Sequence, residues 1–158
     1  MQLAVIPARG GSKRIPRKNI KDFYGKPMIV WSIEAALKSK CFDEVWVSTD
    51  DQEIADIAVK FGAKVPFLRP AHLSDDYATT ADVMQHATQA FAQLRGQSPD
   101  FVCCLYATAP FVQVDDLKTG LQLLQSHPLD YAFSATTFAF PIQRAIKLNK
   151  EGNVEMFQ

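Results

Sequence analysis

An α/β fold, three-layered and built on a mainly parallel sheet, is predicted by three features of the chain. Short apolar runs at Leu3–Ile6, Val45–Val47 and Phe101–Tyr106 read as strands covered on both faces. Between them lie segments whose apolar residues recur at helical spacing. Strand and helix alternate at the spacing of crossover connections, which makes neighbouring strands parallel and collects ligands at their carboxyl ends. With 158 residues, 47% of them hydrophobic and 22% charged, residues 1–158 read as a single domain. A chain of that size buries roughly two thirds of its unfolded surface.

The elements follow in order. Leu3–Ile6 is the first strand, broken at Pro7. A helix is expected at about residues 27–39, with Pro27 in its first turn and Ile29, Ile33, Ala36 and Leu37 on one face. After the strand Val45–Val47, Asp50 or Asp51 caps a helix carrying Ile54, Ile57, Ala58 and Phe61, which ends at Gly62. Val65–Leu68 reads as a short strand and residues 69–79 as a polar loop. Thr80–Leu94 is expected to be helical, with Val83, Ala87, Ala90, Phe91 and Leu94 inward and Gly96 near its end. The buried strand Phe101–Tyr106 leads to a helix over Val114–Ser126 bearing Leu117, Leu121 and Leu124, then to a strand at Tyr131–Ala135. Ile142–Leu148 and Val154–Phe157 flank Asn149-Lys150-Glu151-Gly152-Asn153 and read as a hairpin. Because its second arm stops at Gln158, the chain reads as a fragment or as one whose site another chain completes.

The loop after the first strand carries the strongest chemical signal. Arg9, Lys13, Arg14, Arg17, Lys18, Lys21 and Lys26 are seven of the 17 cationic residues of a chain with no formal net charge. They are interleaved with Gly10, Gly11 and Ser12, so backbone N–H groups can approach an anion that the side chains neutralise. That combination suits a polyphosphate, and a nucleoside triphosphate in particular. The segment has neither the order of a P-loop nor the three glycines of a dinucleotide fingerprint. A solvated basic loop or a basic RNA patch is the alternative reading, against which Pro7 and Pro16 argue by fixing the local backbone.

Elsewhere the chain is less informative. Zero net charge argues against broad nucleic-acid or membrane binding. No run of ~18 apolar residues or secretory leader is present, so a cytoplasmic location is expected. Cys41, Cys103 and Cys104 lack the spacing of a disulfide framework or a zinc site. His72, His86 and His127 are isolated, and no Ser/His/Asp or Cys/His set asks for a covalent intermediate. The pairs Asp50-Asp51, Asp75-Asp76 and Asp115-Asp116 sit where helix caps are expected, with Asp50 set apart because it ends a strand on the loop-bearing rim.

Ile6-Pro-Ala-Arg-Gly-Gly-Ser-Lys13, Pro16-Arg-Lys-Asn19, Gly25-Lys-Pro-Met28, Phe42-Asp-Glu-Val45, Val47-Ser-Thr-Asp50, Leu68-Arg-Pro70, Ala78-Thr-Thr80 and Thr108-Ala-Pro110 together resemble the CMP-sialic acid synthetase (acylneuraminate cytidylyltransferase) family across essentially the whole chain. Val65-Pro-Phe-Leu-Arg69, Cys104-Leu-Tyr-Ala-Thr-Ala-Pro-Phe111 and Pro141-Ile-Gln-Arg-Ala145 look most like its pseudaminic acid branch. The resemblance implies a Rossmann-like nucleotide-diphospho-sugar transferase fold. It also implies a reaction in which CTP and an acidic nine-carbon sugar give a CMP-sugar and pyrophosphate.

By the same resemblance, Arg9, Gly10, Gly11, Ser12, Lys13, Lys18, Asn19, Arg69 and Thr80 bind the nucleotide, and Arg9 and Lys18 are catalytic. For Arg69 and Thr80 the residue-level alternatives are a salt bridge and a helix cap. Tyr106 stands where sialic acid synthetases commonly carry glutamine, and Ala107 where proline is usual, so this loop bears on which sugar is taken. Gln143 and Arg144 fall near the family's sugar-carboxylate contact, with a solvent-facing pair as the alternative. The resemblance further implies Mg²⁺, with its main ligands beyond Gln158, and a homodimer at full length. The pseudaminate, N-acetylneuraminate and legionaminate enzymes share every phosphate contact, and a non-catalytic nucleotide-binding fragment is the alternative of another class.

Overall fold

The computed structural model describes residues 1–137 and 146–156. Its central sheet has three parallel strands: β1 (Gln2–Pro7) in the middle, β4 (Glu44–Ser48) on one side and β5 (Phe101–Cys104) on the other. Leu3 pairs with Glu44 and Pro7 with Ser48, while Gln2 pairs with Phe101 and Val5 with Cys104. The carboxyl ends of all three strands therefore reach one edge. Just past them, Ala8 N–H donates to the Ser48 carbonyl at 2.9 Å and Leu105 N–H to that of Val5 at 3.0 Å.

Successive side chains of a strand point to opposite faces, and β1 builds a core on each. Ala4 and Ile6 join Ile29, Val30 and Ile33 of α1 (Met28–Ser39) and Ile54 and Ala58 of α2 (Gln52–Lys60). Leu117 of α4 (Val114–Ser126) packs against the same cluster. Leu3 and Val5 turn the other way, onto Trp46 of β4 and Ala87 and Phe91 of α3 (Thr80–Arg95). Helix, sheet and helix form the three expected layers.

The helix ends follow local chemistry. Asp51 is the N-cap of α2, its carboxylate accepting Ile54 N–H at 3.0 Å. Thr79 caps α3 in a reciprocal pair with Asp82, and Gly96 closes that helix in the left-handed region at φ 70°. Pro27 is not in the first turn of α1. It is the residue before it, ending a ribbon of β2 (Asp22–Phe23) and β3 (Lys26–Pro27).

Several expectations are corrected. Val65–Leu68 is not a continuous strand: its backbone pairing is limited to the isolated Trp46–Lys64 and Thr49–Leu68 bridges at either end, and Pro66 between them has no N–H to donate. β5 ends at Cys104 and alternates half-buried with exposed residues, because one of its faces is less covered than the other. Leu94 is 56% exposed rather than inward. Leu117, Leu121 and Leu124 are half-buried, and no residue of α4 is fully buried. Tyr131–Ala135 is exposed coil, since no described segment pairs with it. The hairpin is present as antiparallel β6 (Ile146–Leu148) and β7 (Val154–Met156), while residues 142–145 and 157 lie outside the described residues.

Candidate active site

A cleft of about 290 Å³ opens at the carboxyl edge of the sheet. Arg9, Lys18 and Asn19 of the loop after β1 line one side. Arg69, Asp75 and Asp76, from the segment between α2 and α3, line another. Thr80 at the start of α3 and Tyr106, Ala107 and Thr108 after β5 complete the wall. Six residues expected at a nucleotide or sugar site thus converge from four separate stretches of chain.

The loop after β1 is held by short-range bonds rather than left free. Asn19 is 4% exposed, and its amide donates to the Arg9 carbonyl at 2.9 Å while its own carbonyl accepts Ile29 N–H at 2.8 Å. Asn19 lines the cleft, and this bond also makes it a brace for Arg9. Gly10 is not free for an anion as expected: its N–H donates to Asp50 Oδ1 at 2.9 Å. A methyl group there would stand 2.6 Å from Asp51 Oδ2 and 2.9 Å from Asp51 Cβ, so glycine is required by close packing on the turn after β4. Gly11 meets nothing within 4 Å of where its Cβ would be. Neither Gly10, Gly11, Ser12 nor Lys13 is among the residues lining the cleft, although Lys13 reaches it through Asp76.

The basic cluster divides by partner. Arg17, with φ 54°, pairs with Asp51 and Glu53 and is withdrawn from the cleft into the cap of α2. Arg17 and, more weakly, the Ile54 N–H hold the Asp51 carboxyl below the usual carboxylate range against the opposing effect of burial. Arg9 Nη1 lies 2.9 Å from Asp76 Oδ1 and donates to the Asp75 carbonyl at 2.6 Å, and Lys13 pairs with Asp76 Oδ2. Among the described residues Lys18 has no ion-pair partner.

Arg69 is the deepest charge. Its side chain is only 3% exposed, its Nε donates to Ser74 Oγ at 3.2 Å, and Asp50 Oδ1 stands 3.9 Å from Nη2. Burial lowers its pKa, Asp50 partly opposes this, and nearby Arg9 lowers it further. The salt bridge of the alternative reading is present as the long contact to Asp50, on a buried rather than an exposed side chain. Arg69 has only a distant carboxylate for its buried charge, with the Arg9 guanidinium close enough to disfavour it, so the site favours a further anion beside Arg69. The backbone sets the position, because Arg69 N–H donates to the Thr49 carbonyl at 2.7 Å.

Thr80 is not the cap of α3. Thr79 has that role, and the Thr80 hydroxyl lies 3.5 Å from the Tyr106 phenol across the cleft. Tyr106 is in turn anchored by Ser32 of α1, whose hydroxyl donates to its carbonyl at 2.8 Å. Gln143 and Arg144 lie outside the described residues. Sequence reasoning missed Asp76 and Ser74. An acidic pair before a helix was a signal for capping, but only Asp75 has a local role, accepting the N–H groups of Tyr77 and Ala78 at 2.9 and 2.8 Å.

Two thiols and an imidazole are shifted by burial. Burial pushes the Cys103 thiol up to about 11 and raises that of Cys104. Burial, then the proximity of His72 and Arg69, lowers the pKa of His86, which packs edge-on against Phe67. Among the described residues no three His, Cys, Asp or Glu side chains come together to hold a metal ion. Asp50 accepts the Gly10 N–H and Asp76 two cations, so among the described residues neither of these carboxylates stands unpartnered for Mg²⁺.

Residues 3–150 match the cytidylyltransferase family model. The chain belongs to that family. It is 54% identical to the pseudaminic acid cytidylyltransferase of Campylobacter jejuni serotype O:2 over 98% of this chain and 66% of that one. It is 42% identical to the CMP-N,N'-diacetyllegionaminic acid synthase of Legionella pneumophila over 77% of this chain and 52% of that one. In fold it matches a CMP:2-keto-3-deoxy-manno-octonic acid synthetase complexed with CTP, with TM-score 0.65 and 31% identity, covering 80% of this chain and 48% of that structure. The nucleotide-diphospho-sugar transferase fold expected of the family is therefore present. The chain spans just under two thirds of the Campylobacter relative.

Proposed function

We propose that this chain is the nucleotidyltransferase domain of an enzyme that joins CTP to a nonulosonic acid, pseudaminic acid first among candidates, giving the CMP-sugar and pyrophosphate. The observation that carries the reading is the convergence of Arg9, Lys18, Asn19, Arg69, Thr80 and Tyr106 on one cleft at the strand ends. Two arginines there suit the triphosphate, since guanidinium groups can each bind two phosphate oxygens. The sugar's anomeric oxygen attacks the α-phosphorus, the bond to the bridging oxygen of pyrophosphate breaks, and the hydroxyl proton is lost. Lys18, on the cleft and without a carboxylate partner among the described residues, suits the charge that grows on the leaving pyrophosphate. Tyr106 and the adjoining Ala107 and Thr108 stand at the opposite wall, where the sugar would lie.

The pseudaminate assignment rests on the 54% identity to the Campylobacter protein, and the 42% identity to the legionaminate synthase makes legionaminate the next sugar to test. The Mg²⁺ expected for such a reaction would take its protein ligands from outside the described residues, as would the dimer contacts expected of the full-length protein. A cytoplasmic site of action accords with three free cysteines. Pyrophosphate release, measured over a panel of triphosphates with pseudaminate, N-acetylneuraminate and legionaminate, tests the reading on this chain and on a version extended to the length of the relatives. Turnover with CTP and pseudaminate in the extended protein is expected. Preference for another sugar would reassign the substrate, and nucleotide binding without turnover in either chain would leave a non-catalytic module.

A further inference from the structure

The cleft already contains an anion of its own. Asp76 places one carboxylate oxygen 2.9 Å from Arg9 Nη1 and the other on Lys13 Nζ, while the neighbouring Asp75 carbonyl accepts from the same Arg9 nitrogen at 2.6 Å. Segment 75–78 is stiffened by the Asp75 side chain, which accepts the N–H groups of Tyr77 and Ala78, and it runs directly into the capped start of α3. The Asp76 side chain is itself 39% exposed, so it can swing into solvent without unpacking anything. We propose that Asp76 is a displaceable counter-ion: it holds Arg9 and Lys13 in place when the cleft is empty, yields them to the phosphates of an entering polyphosphate, and reclaims them as the polyphosphate leaves.

The proposal rests on the nucleotide reading of the site and adds a positioning residue to it. Its physical basis is competition. A carboxylate and a phosphate oxygen bind the same N–H donors, so each must displace the other, and the internal anion weakens ligand affinity by about the strength of the contacts it gives up. The same competition opposes retention of product pyrophosphate, which carries the charge that Arg9 and Lys13 would otherwise hold. A carboxylate that only shaped the loop would behave oppositely, since its loss would disorder the cations and weaken binding.

The test is calorimetric titration of CTP and of inorganic tripolyphosphate into the wild-type chain, Asp76→Asn and Asp76→Ser, without metal and with Mg²⁺. Asp115→Asn, an exposed carboxylate on α4, controls for net charge. Both Asp76 variants are expected to bind tripolyphosphate about three- to thirtyfold more tightly in metal-free buffer, with a steeper loss of affinity as salt rises, and Asp115→Asn less than about twofold more tightly. In the wild-type chain the side-chain carboxyl ¹³C resonance of Asp76 is expected to shift when tripolyphosphate is added. Unchanged or weaker binding by the variants overturns the proposal, as does weakening seen only with Mg²⁺, which would make Asp76 a metal ligand. An unmoved Asp76 resonance at saturation also overturns it. Binding of tripolyphosphate but not CTP defeats the nucleotide reading while leaving Asp76 still judged by tripolyphosphate. Binding of neither defeats both.

Discussion

At the scale of single residues, the cleft is a problem in unbalanced charge. Arg69 is buried with only a 3.9 Å contact to Asp50, and Arg9 adds a second guanidinium to the same wall. Lys18 differs by being exposed on the cleft and unpaired among the described residues. In a chain extended to full length, Lys18→Ala is expected to lower kcat by more than it raises the Kd for CTP, because negative charge on the departing pyrophosphate increases toward the transition state. Steady-state kinetics beside equilibrium titration checks this, and a change confined to KM would limit Lys18 to ground-state binding.

Glu44 poses the residue-scale question for stability. Its side chain is 6% exposed beneath α3, where Arg95 lies 2.6 Å and Lys64 3.2 Å from its oxygens and the Trp46 indole N–H donates at 2.6 Å. Burial opposes ionisation, but the Trp46 bond and then the two cations outweigh it, leaving the pKa below its ordinary value of 4.5. A carboxyl with a depressed folded-state pKa adds stability that is fully present above 4.5 and is lost as pH falls through the folded value. Thermal denaturation between neutral pH and pH 3 is therefore expected to show a falling Tm below 4.5, with a shallower acid slope in Glu44→Gln. At neutral pH the same substitution is expected to cost about 1–3 kcal/mol, because Arg95 and Lys64 lose their shared charge partner.

At the scale of elements, the loop after β1 depends on how closely it meets the turn after β4. Gly10→Ala would place a methyl group 2.6 Å from Asp51 Oδ2, against a carboxylate fixed by Arg17 and by the first turn of α2. It is expected to destabilise the protein by about 1–3 kcal/mol and to weaken CTP binding as Arg9 moves with the loop. Gly11→Ala, which meets nothing within 4 Å, is expected to leave the melting temperature unchanged to within about a degree. Comparing the two melting curves separates close packing from mere glycine content. The periodic patterns of α1, α2 and α3 made these helices readable in advance, because each buries one face against a sheet. Leu94 and the α4 leucines were over-read, since periodicity says which side of a helix is apolar but not how much of that side the fold covers.

For the whole molecule, the chain brings the cleft together within just under two thirds of the length of its Campylobacter relative. It is expected to bind CTP more tightly than ATP or GTP, which calorimetry with the three triphosphates checks directly. Equal or tighter purine binding would remove the cytidine assignment. It is further expected to release pyrophosphate from CTP and pseudaminate far more slowly than the extended protein, because the described residues assemble no set of metal ligands. Equal rates in the two would place everything needed for transfer within these 158 residues.

Legible in the sequence alone were the alternation of strands and helices, the parallel sheet, a carboxylate cap for α2 from Asp50 or Asp51, and the gathering of cations after the first strand. Each of these is written in near neighbours: apolar periodicity, a carboxylate before a helix, charges within a few residues of one another. Tertiary structure alone decided how those cations were shared. Arg17 left the cleft for Asp51, Arg9 and Lys13 met Asp76 some 60 residues further along the chain, and Arg69 was buried beside Asp50. The pairing of a charge depends on which carboxylate the fold brings within about 4 Å, and a linear pattern holds no information on that distance. Thr79 and Thr80 divide the same way: the cap at Thr79 comes from its near neighbour Asp82, whereas only the fold sets the Thr80 hydroxyl 3.5 Å from the Tyr106 phenol.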